Sequence, residues 1–171
     1  MKLYSKVIDG ELVIKPTTEI GIYINGMLTY GLHDEILFKN GWSVYEEDID
    51  ELKEDLIDEV KAYDKSESVN IFYLNDTPMW LDKDTRVGLS LRFDSEVKNG
   101  LSQTTLWYKD TPYSLPIANA IQMLHALELY ASKCYDNTQL HIKTISELQA
   151  VDEIKKYDIT SGYPDKLYFN I

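Results

Sequence analysis

The side chains that could ligate a metal ion or act as a nucleophile are few and far apart in the sequence. They are His125, Cys134 and His141. A zinc site needs three or four converging ligands with short paired spacing, and the sequence contains no Cys-X-X-Cys pair. Cys134 and His141 lie on or between predicted helices with no evident oxyanion donor, which disfavours a cysteine nucleophile. We therefore expect no metal, no cofactor and no catalytic residue.

Carboxylates are abundant, and paired acids catalyse glycoside hydrolysis. Nine of them fall within residues 46–59, in a pattern typical of a solvated helix face rather than of a catalytic pair. The Gly-X-Gly-X-X-Gly and Gly-Lys-Ser/Thr motifs that would indicate a nucleotide site do not occur. The sequence predicts that the protein is not an enzyme.

The composition disfavours several classes of protein. The 171 residues include 29 acidic and 17 basic side chains, which gives a net charge of -12 that would repel a phosphate backbone. With 44% hydrophobic residues, a folded core is expected rather than disorder. The single cysteine cannot form an internal disulfide, and the first fifteen residues lack the apolar stretch of a secretory signal or membrane helix. We expect a protein that stays inside a cell or a soluble particle, with no nucleic-acid or membrane partner.

The first 45 residues are predicted to form a small β arm that serves as an attachment region. Short strands are predicted over residues 2–7, 11–15 and 20–24. Asp9-Gly10 and Asn25-Gly26 are strong hairpin-turn signals, and a helical segment over residues 33–40 is stopped at Asn40-Gly41. So short a segment buries little core alone, so it must find its missing contacts on a partner or a second copy. The candidate interface aromatics of this arm are Tyr23, Tyr30 and Tyr45.

Residues 46–67 are predicted to be an acidic linking helix, with the helix itself over residues 47–63. Its apolar residues recur at intervals of three and four and form a single stripe. The candidate interface residues on this stripe are Ile49, Leu52, Leu56 and Val60. Two arrangements would bury them: packing on the C-terminal domain of the same chain, or a short parallel coiled coil between copies.

The C-terminal α+β domain, residues 68–171, contains an internal repeat. Residues 73–81 and 107–115 match at an offset of 34, and each runs from aromatic and apolar residues through Asp-Thr-Pro to Leu. Each copy predicts a strand, a tight turn, a second strand and a helix. Helices are predicted from the cap at Asp82 to Asn99, from Pro116 with Ser114 near its cap to Cys134, from Thr138 to Leu148, and from Asp152 to Lys156.

These elements predict an α+β fold for the chain, in which the C-terminal part has about four strands packed against about four helices. The helix over residues 116–134 has the widest apolar stripe and is expected to be the central core helix. Thirteen tyrosines and three tryptophans could fill a core, stack on carbohydrate or form a protein interface. Trp80 and Trp107 are expected in the core.

Several blocks of this region carry a family resemblance. They include MWLDKDTRVGL at residues 79–89, TTLWY at 104–108, AIQMLHALELYA at 120–131 and GYPDKL at 162–167. These blocks resemble a domain of unknown function found in phages and prophages of gut Bacteroidales. The resemblance covers roughly residues 63–169, the segment from Asn25 to Trp42 is similar to the piece that precedes the domain, and residues 1–24 look like an addition.

The resemblance implies a phage protein associated with virion appendages such as head or tail fibres, and it implies no catalytic residues. We expect a virion structural protein, made in the bacterial host cytoplasm, that forms a homo-oligomer, a dimer or a trimer. Its N-terminal region would attach to a capsid or tail protein. Two alternatives remain open: an assembly chaperone that is absent from the particle, and a glycan-binding module.

Overall fold

The computed structural model describes residues 2–170, and the chain divides into two units, the first of which ends at Asp48. The strands of the first unit are connected by tight turns that contain residues with positive φ. β1 (Leu3–Ile8) and β2 (Glu11–Pro16) are joined by Asp9 and Gly10, whose φ angles are 53° and 88°. Positive φ at both central residues gives the turn a twist that matches the right-handed twist of the two strands it connects. The predicted hairpin turn at Asp9-Gly10 is therefore confirmed.

A second hairpin of the same kind follows a 3₁₀ turn over Thr17–Glu19. β3 (Ile22–Ile24) and β4 (Met27–Thr29) pair antiparallel across Asn25 and Gly26, which also have positive φ. The turn is therefore where the sequence predicts it. The strand predicted over residues 20–24 begins two residues later, and β4 was missing from the prediction.

The helix of the first unit, α1 (Asp34–Lys39), ends at its predicted stop. Gly41 has a φ of 78°, and the Trp42 amide donates a hydrogen bond to the Leu37 carbonyl at 3.0 Å. β5 (Ser43–Val44) then pairs with β1, which gives the sheet order β2, β1, β5 and leaves β2 at an edge. The buried core of this unit is small and consists of Tyr4, Ile20, Leu37 and Trp42.

The second unit begins at Ile49 and contains the longer helices. Its elements, in chain order, are α2 (Ile49–Asp64), α3 (Glu67–Asn70), β6 (Phe72–Leu74), β7 (Thr77–Met79), α4 (Lys83–Lys98), β8 (Gln103–Tyr108), β9 (Thr111–Pro116), α5 (Ile117–Glu147), α6 (Val151–Lys155) and β10 (Tyr168–Phe169). Both copies of the internal repeat fold as predicted, because hairpin β6–β7 leads into α4 and hairpin β8–β9 leads into α5. Asp82 caps α4 by accepting a hydrogen bond from the Thr85 amide at 2.7 Å.

One large hydrophobic cluster holds the second unit together. It draws side chains from both hairpins, from α4 and from the first half of α5. Its buried members are Phe72, Leu74, Met79, Leu81, Phe93, Leu106, Leu115, Ile117, Ala120, Met123, Leu124 and Leu127. The early turns of α5 supply five of these residues, so the expectation of a central core helix is confirmed.

The structure corrects the prediction of two helices over residues 116–134 and 138–148. α5 runs without interruption from Ile117 to Glu147. Thr138 starts no new helix, because it is buried and its hydroxyl is hydrogen-bonded to the Tyr163 hydroxyl at 2.9 Å. The Asn137 amide likewise donates to the Ser161 carbonyl at 2.9 Å. Side chains satisfied in this way do not compete for the helix backbone. Ser114 and Pro116 lie in β9, where Ser114 caps no helix.

Residues 67–170 contain five strands and four α-helices, where about four of each were expected, whereas the two tryptophans expected in the core are not buried. β5 and β10 contain only two residues each, too few to show a strand periodicity in the sequence. Trp80 and Trp107 lie at the surface, 38% and 62% exposed. The alternation that turns Thr104 and Leu106 inward on β8 turns Trp107 outward.

We expect Leu124→Ala to lower the free energy of unfolding by about 2–5 kcal/mol, because it removes a buried side chain from the central cluster. Leu129→Ala on the same helix is the matched control, since Leu129 is exposed and should change stability by less than about 0.5 kcal/mol. Denaturant unfolding monitored by circular dichroism measures both. Equal losses for the two variants would contradict the assignment of the buried face of α5.

Candidate interaction surfaces

The apolar stripe of α2 packs within its own unit, against α5 and α6. Val60 is fully buried, and Ile49, Leu52 and Leu56 are half-buried. The Lys53 ammonium group also donates a hydrogen bond to the Ser146 carbonyl of α5, at 3.1 Å. The first of the two arrangements considered from the sequence is therefore the one present here. Val60 has no exposed surface to offer a second copy.

The hairpin β3–β4 presents an aromatic and apolar surface, which we call the hairpin face. It consists of Tyr23, Leu28 and Tyr30, and the two predicted tyrosines are 73% and 54% exposed. The register sets Tyr23 opposite Leu28. A Cβ on Gly21 would come within 2.9 Å of both Leu28 and Tyr30, so these two side chains lie directly against the glycine. Tyr45 is half-buried.

A second apolar surface lies on hairpin β1–β2, and sequence reasoning missed it. We call it the outer sheet face, and it consists of Val7, Leu12 and Ile14. Val7 and Leu12 are paired across the two strands and are 64% and 59% exposed. The signal was present in β2, where the consecutive apolar residues Leu12, Val13 and Ile14 put apolar side chains on both faces of the strand.

A polar cluster ties β1 to α1 in the same unit. The buried Tyr4 donates its hydroxyl hydrogen to the Asp34 carboxylate, and Lys2 forms an ion pair with the same carboxylate. The hydrogen bonds from Lys2 and Tyr4 lower the pKa of Asp34, and the bond to Asp34 raises the pKa of Tyr4. The ionised form of Asp34 is therefore the one that stabilises this unit.

The three soft-ligand candidates have separate roles in the second unit. Both ring nitrogens of the buried His141 are engaged, Nδ1 with the Tyr157 hydroxyl at 2.8 Å and Nε2 with the Ser161 carbonyl at 2.9 Å. Burial raises the pKa of the Cys134 thiol, which lowers its thiolate fraction. His125 is exposed on α5 and lines a groove with Leu91. Within residues 2–170, no group of three or more potential ligands could hold a metal ion.

An open cleft lies beside the first half of α5 and β10. It has a volume of about 480 Å³ and is lined by Asn119, Gln122, Met123, Ala126, Tyr168, Phe169 and Asn170. This lining contains three carboxamides and no ionisable group apart from a tyrosine, so it suits a neutral polar ligand better than a charged one. Among the helices of the described chain, none is both long and apolar enough to cross a membrane.

The comparisons with known proteins add no family to this description. No family model, no curated protein and no solved structure matches the chain. The resemblance to the phage domain therefore depends on the quoted residues alone.

We expect Asp34→Asn to lower the stability of the first unit at neutral pH, and to make that stability less dependent on pH. The carboxylate contribution is present above about pH 3.9, the ordinary pKa of an unfolded aspartate, and is lost as the pH falls through the lower pKa of the folded state. Hydrogen exchange of the amides of residues 2–48 between neutral and acidic pH measures the effect. Glu35→Gln, an exposed neighbour on α1, is the control. Unchanged exchange in Asp34→Asn would rule out this role.

Proposed function

We propose that the protein is a structural component of a phage virion, a head- or tail-fibre protein that forms a homo-oligomer and docks onto a capsid or tail protein through its first unit. The observation that carries the docking part is the concentration of exposed apolar side chains in that unit. The phage context comes from the resemblance of residues 63–169 to the phage domain.

The first unit exposes far more apolar surface than its size would require. Within the described residues, nine of its large apolar side chains are exposed, against ten in the second unit, which is more than twice as long. Six of the nine lie on the hairpin face and the outer sheet face, three on each. Contiguous exposed apolar surface of this kind usually marks an interaction site, whereas scattered single residues do not.

The chemistry of the hairpin face favours a protein partner. Tyrosine offers a large, stiff and amphipathic contact area at low entropic cost, and it is enriched at interaction hot spots. Leu28 and Tyr30 lie against the backbone at Gly21, and side chains that already have such a contact lose less conformational freedom on binding. The strongly negative net charge of the chain favours a partner surface with basic residues around an apolar centre.

The assembly chaperone remains the second candidate, because the same apolar surfaces would shield a fibre during its assembly. The glycan-binding module is the third, and the carboxamide-lined cleft beside α5 is where we would place its ligand. Presence in the finished particle separates the first candidate from the chaperone. Binding of sugars by the isolated chain, abolished by Gln122→Ala, would favour the glycan-binding module.

We expect the wild-type chain to be present in density-purified particles at a fixed ratio to the major capsid protein, as measured by mass spectrometry. The double variant Tyr23→Ser and Tyr30→Ser should be lost from the particles, because it removes the aromatic contacts of the hairpin face. Trp107→Ser, an equally exposed aromatic of the second unit, should be retained.

The outcomes decide between the candidates. A wild-type chain that is expressed in infected cells but absent from particles would overturn the virion assignment and favour the chaperone. Loss of Trp107→Ser together with retention of the tyrosine variant would place the docking surface on the second unit instead.

A further inference from the structure

β2 has one open edge in the structure. It lies outermost in the three-stranded sheet, and β1 is its neighbour on the other side. In a two-residue hairpin the closing pair, here Ile8 and Glu11, exchanges both main-chain hydrogen bonds, and the bonding residues then alternate along the strand. The main-chain N–H and C=O groups of Leu12 and Ile14 therefore point away from β1, towards the open edge.

Nothing else in the described chain uses these groups. Apart from the bonds within strands and helices, no main-chain hydrogen bond involves Leu12 or Ile14 among residues 2–170. An edge of six residues with free donors and acceptors is a template for another strand. The two charged residues of β2, Glu11 and Lys15, favour a partner strand that places opposite charges across from them.

The sequence of β2 is complementary to itself when two copies run antiparallel. In one register a two-fold axis passes through Val13, so that Leu12 faces Ile14 of the second copy and Glu11 faces the second copy's Lys15. Leu12 and Ile14 then form main-chain bonded pairs through the groups that point to the edge. Each Glu11 meets a lysine of opposite charge across the strands, a pairing that stabilises antiparallel sheets.

We propose that two copies of the chain pair through the open edges of β2 in this register and form a continuous six-stranded sheet. The inference rests on the self-association included in the proposed function, and it names the strand that produces it. The outer sheet faces of the two copies then join, so Val7, Leu12 and Ile14 form one apolar surface twice as large for a third partner.

The ends of the sheet explain why assembly stops at two copies. Pro16 has no N–H group, so it ends the ladder after the Leu12 and Ile14 bonds. The opposite edge of each sheet is β5, which contains only two residues. So short an edge offers too few free groups to recruit a further strand.

A charge-exchange experiment on the full chain tests the proposal, with molar mass measured by sedimentation equilibrium at several concentrations. Wild type should be a dimer. Glu11→Lys and Lys15→Glu alone should each dissociate at least about tenfold more readily, because two attractive pairs become repulsive. An equimolar mixture of the two single variants should restore the dimer, since each lysine then meets a glutamate. Glu19→Lys, a change of the same charge outside β2, is the control for net charge.

A second variant tests the main-chain contribution. Ile14→Pro removes an N–H group from the open edge without touching the bonds to β1, so it should abolish the dimer and leave the hairpin folded by circular dichroism. A wild-type chain that stays monomeric at all accessible concentrations overturns the proposal. Dimers that both single variants retain overturn it as well. A monomer that is still incorporated into particles would overturn the self-association, here and in the proposed function, and leave the virion assignment intact, whereas a dimer that is absent from particles would overturn the virion assignment alone.

Discussion

The first unit has too few residues to bury the apolar side chains that its own strands carry. Its core contains only Tyr4, Ile20, Leu37 and Trp42, and small domains bury a smaller fraction of their surface than large ones do. Both hairpins therefore keep one apolar face in contact with solvent. The position of Tyr4, which is tied through its hydroxyl to Asp34 on α1, holds this small core in place while the outer faces remain available.

The second unit, in contrast, buries a larger set of apolar side chains in its own core. The long helix α5 packs both repeat hairpins and α4 on its first half, and its second half binds the C-terminal segment through Asn137, Thr138 and His141. The acidic helix α2 covers a further side of α5 and α6 with its apolar stripe. Apolar residues that stay exposed here are spread over several elements. This difference between the units is the physical basis for proposing that the first one is the attachment region.

Local signals in the sequence were sufficient for the hairpin turns, for the helix cap at Asp82 and for the repeat. Asp9-Gly10 and Asn25-Gly26 adopt their hairpin conformations because positive φ is required there, and Asp82 caps α4 because its carboxylate reaches the Thr85 amide. The α+β class and the central helix followed from periodicity. These features depend on neighbours within a few residues, which is why one sequence is enough to predict them.

The features that were missed depend on distant partners. The polar residues Asn137 and Thr138 indicated a helix boundary, but contacts with Ser161 and Tyr163 satisfy them inside α5. The parallel pairing of β10 with β6 joins residues almost one hundred positions apart. Tyr23 and Tyr30 were identified as candidate interface aromatics, whereas the outer sheet face was missed, because apolar residues on both faces of β2 do not by themselves show which face the core covers.

The most direct test of the account is hydrogen exchange of the full chain, free and bound to purified particles, with peptides resolved along the sequence. We expect binding to protect residues 2–48, above all the hairpin β3–β4, and to leave the amides of the second unit unchanged. Protection confined to residues 49–170 would contradict it, because the second unit would then be the attachment surface.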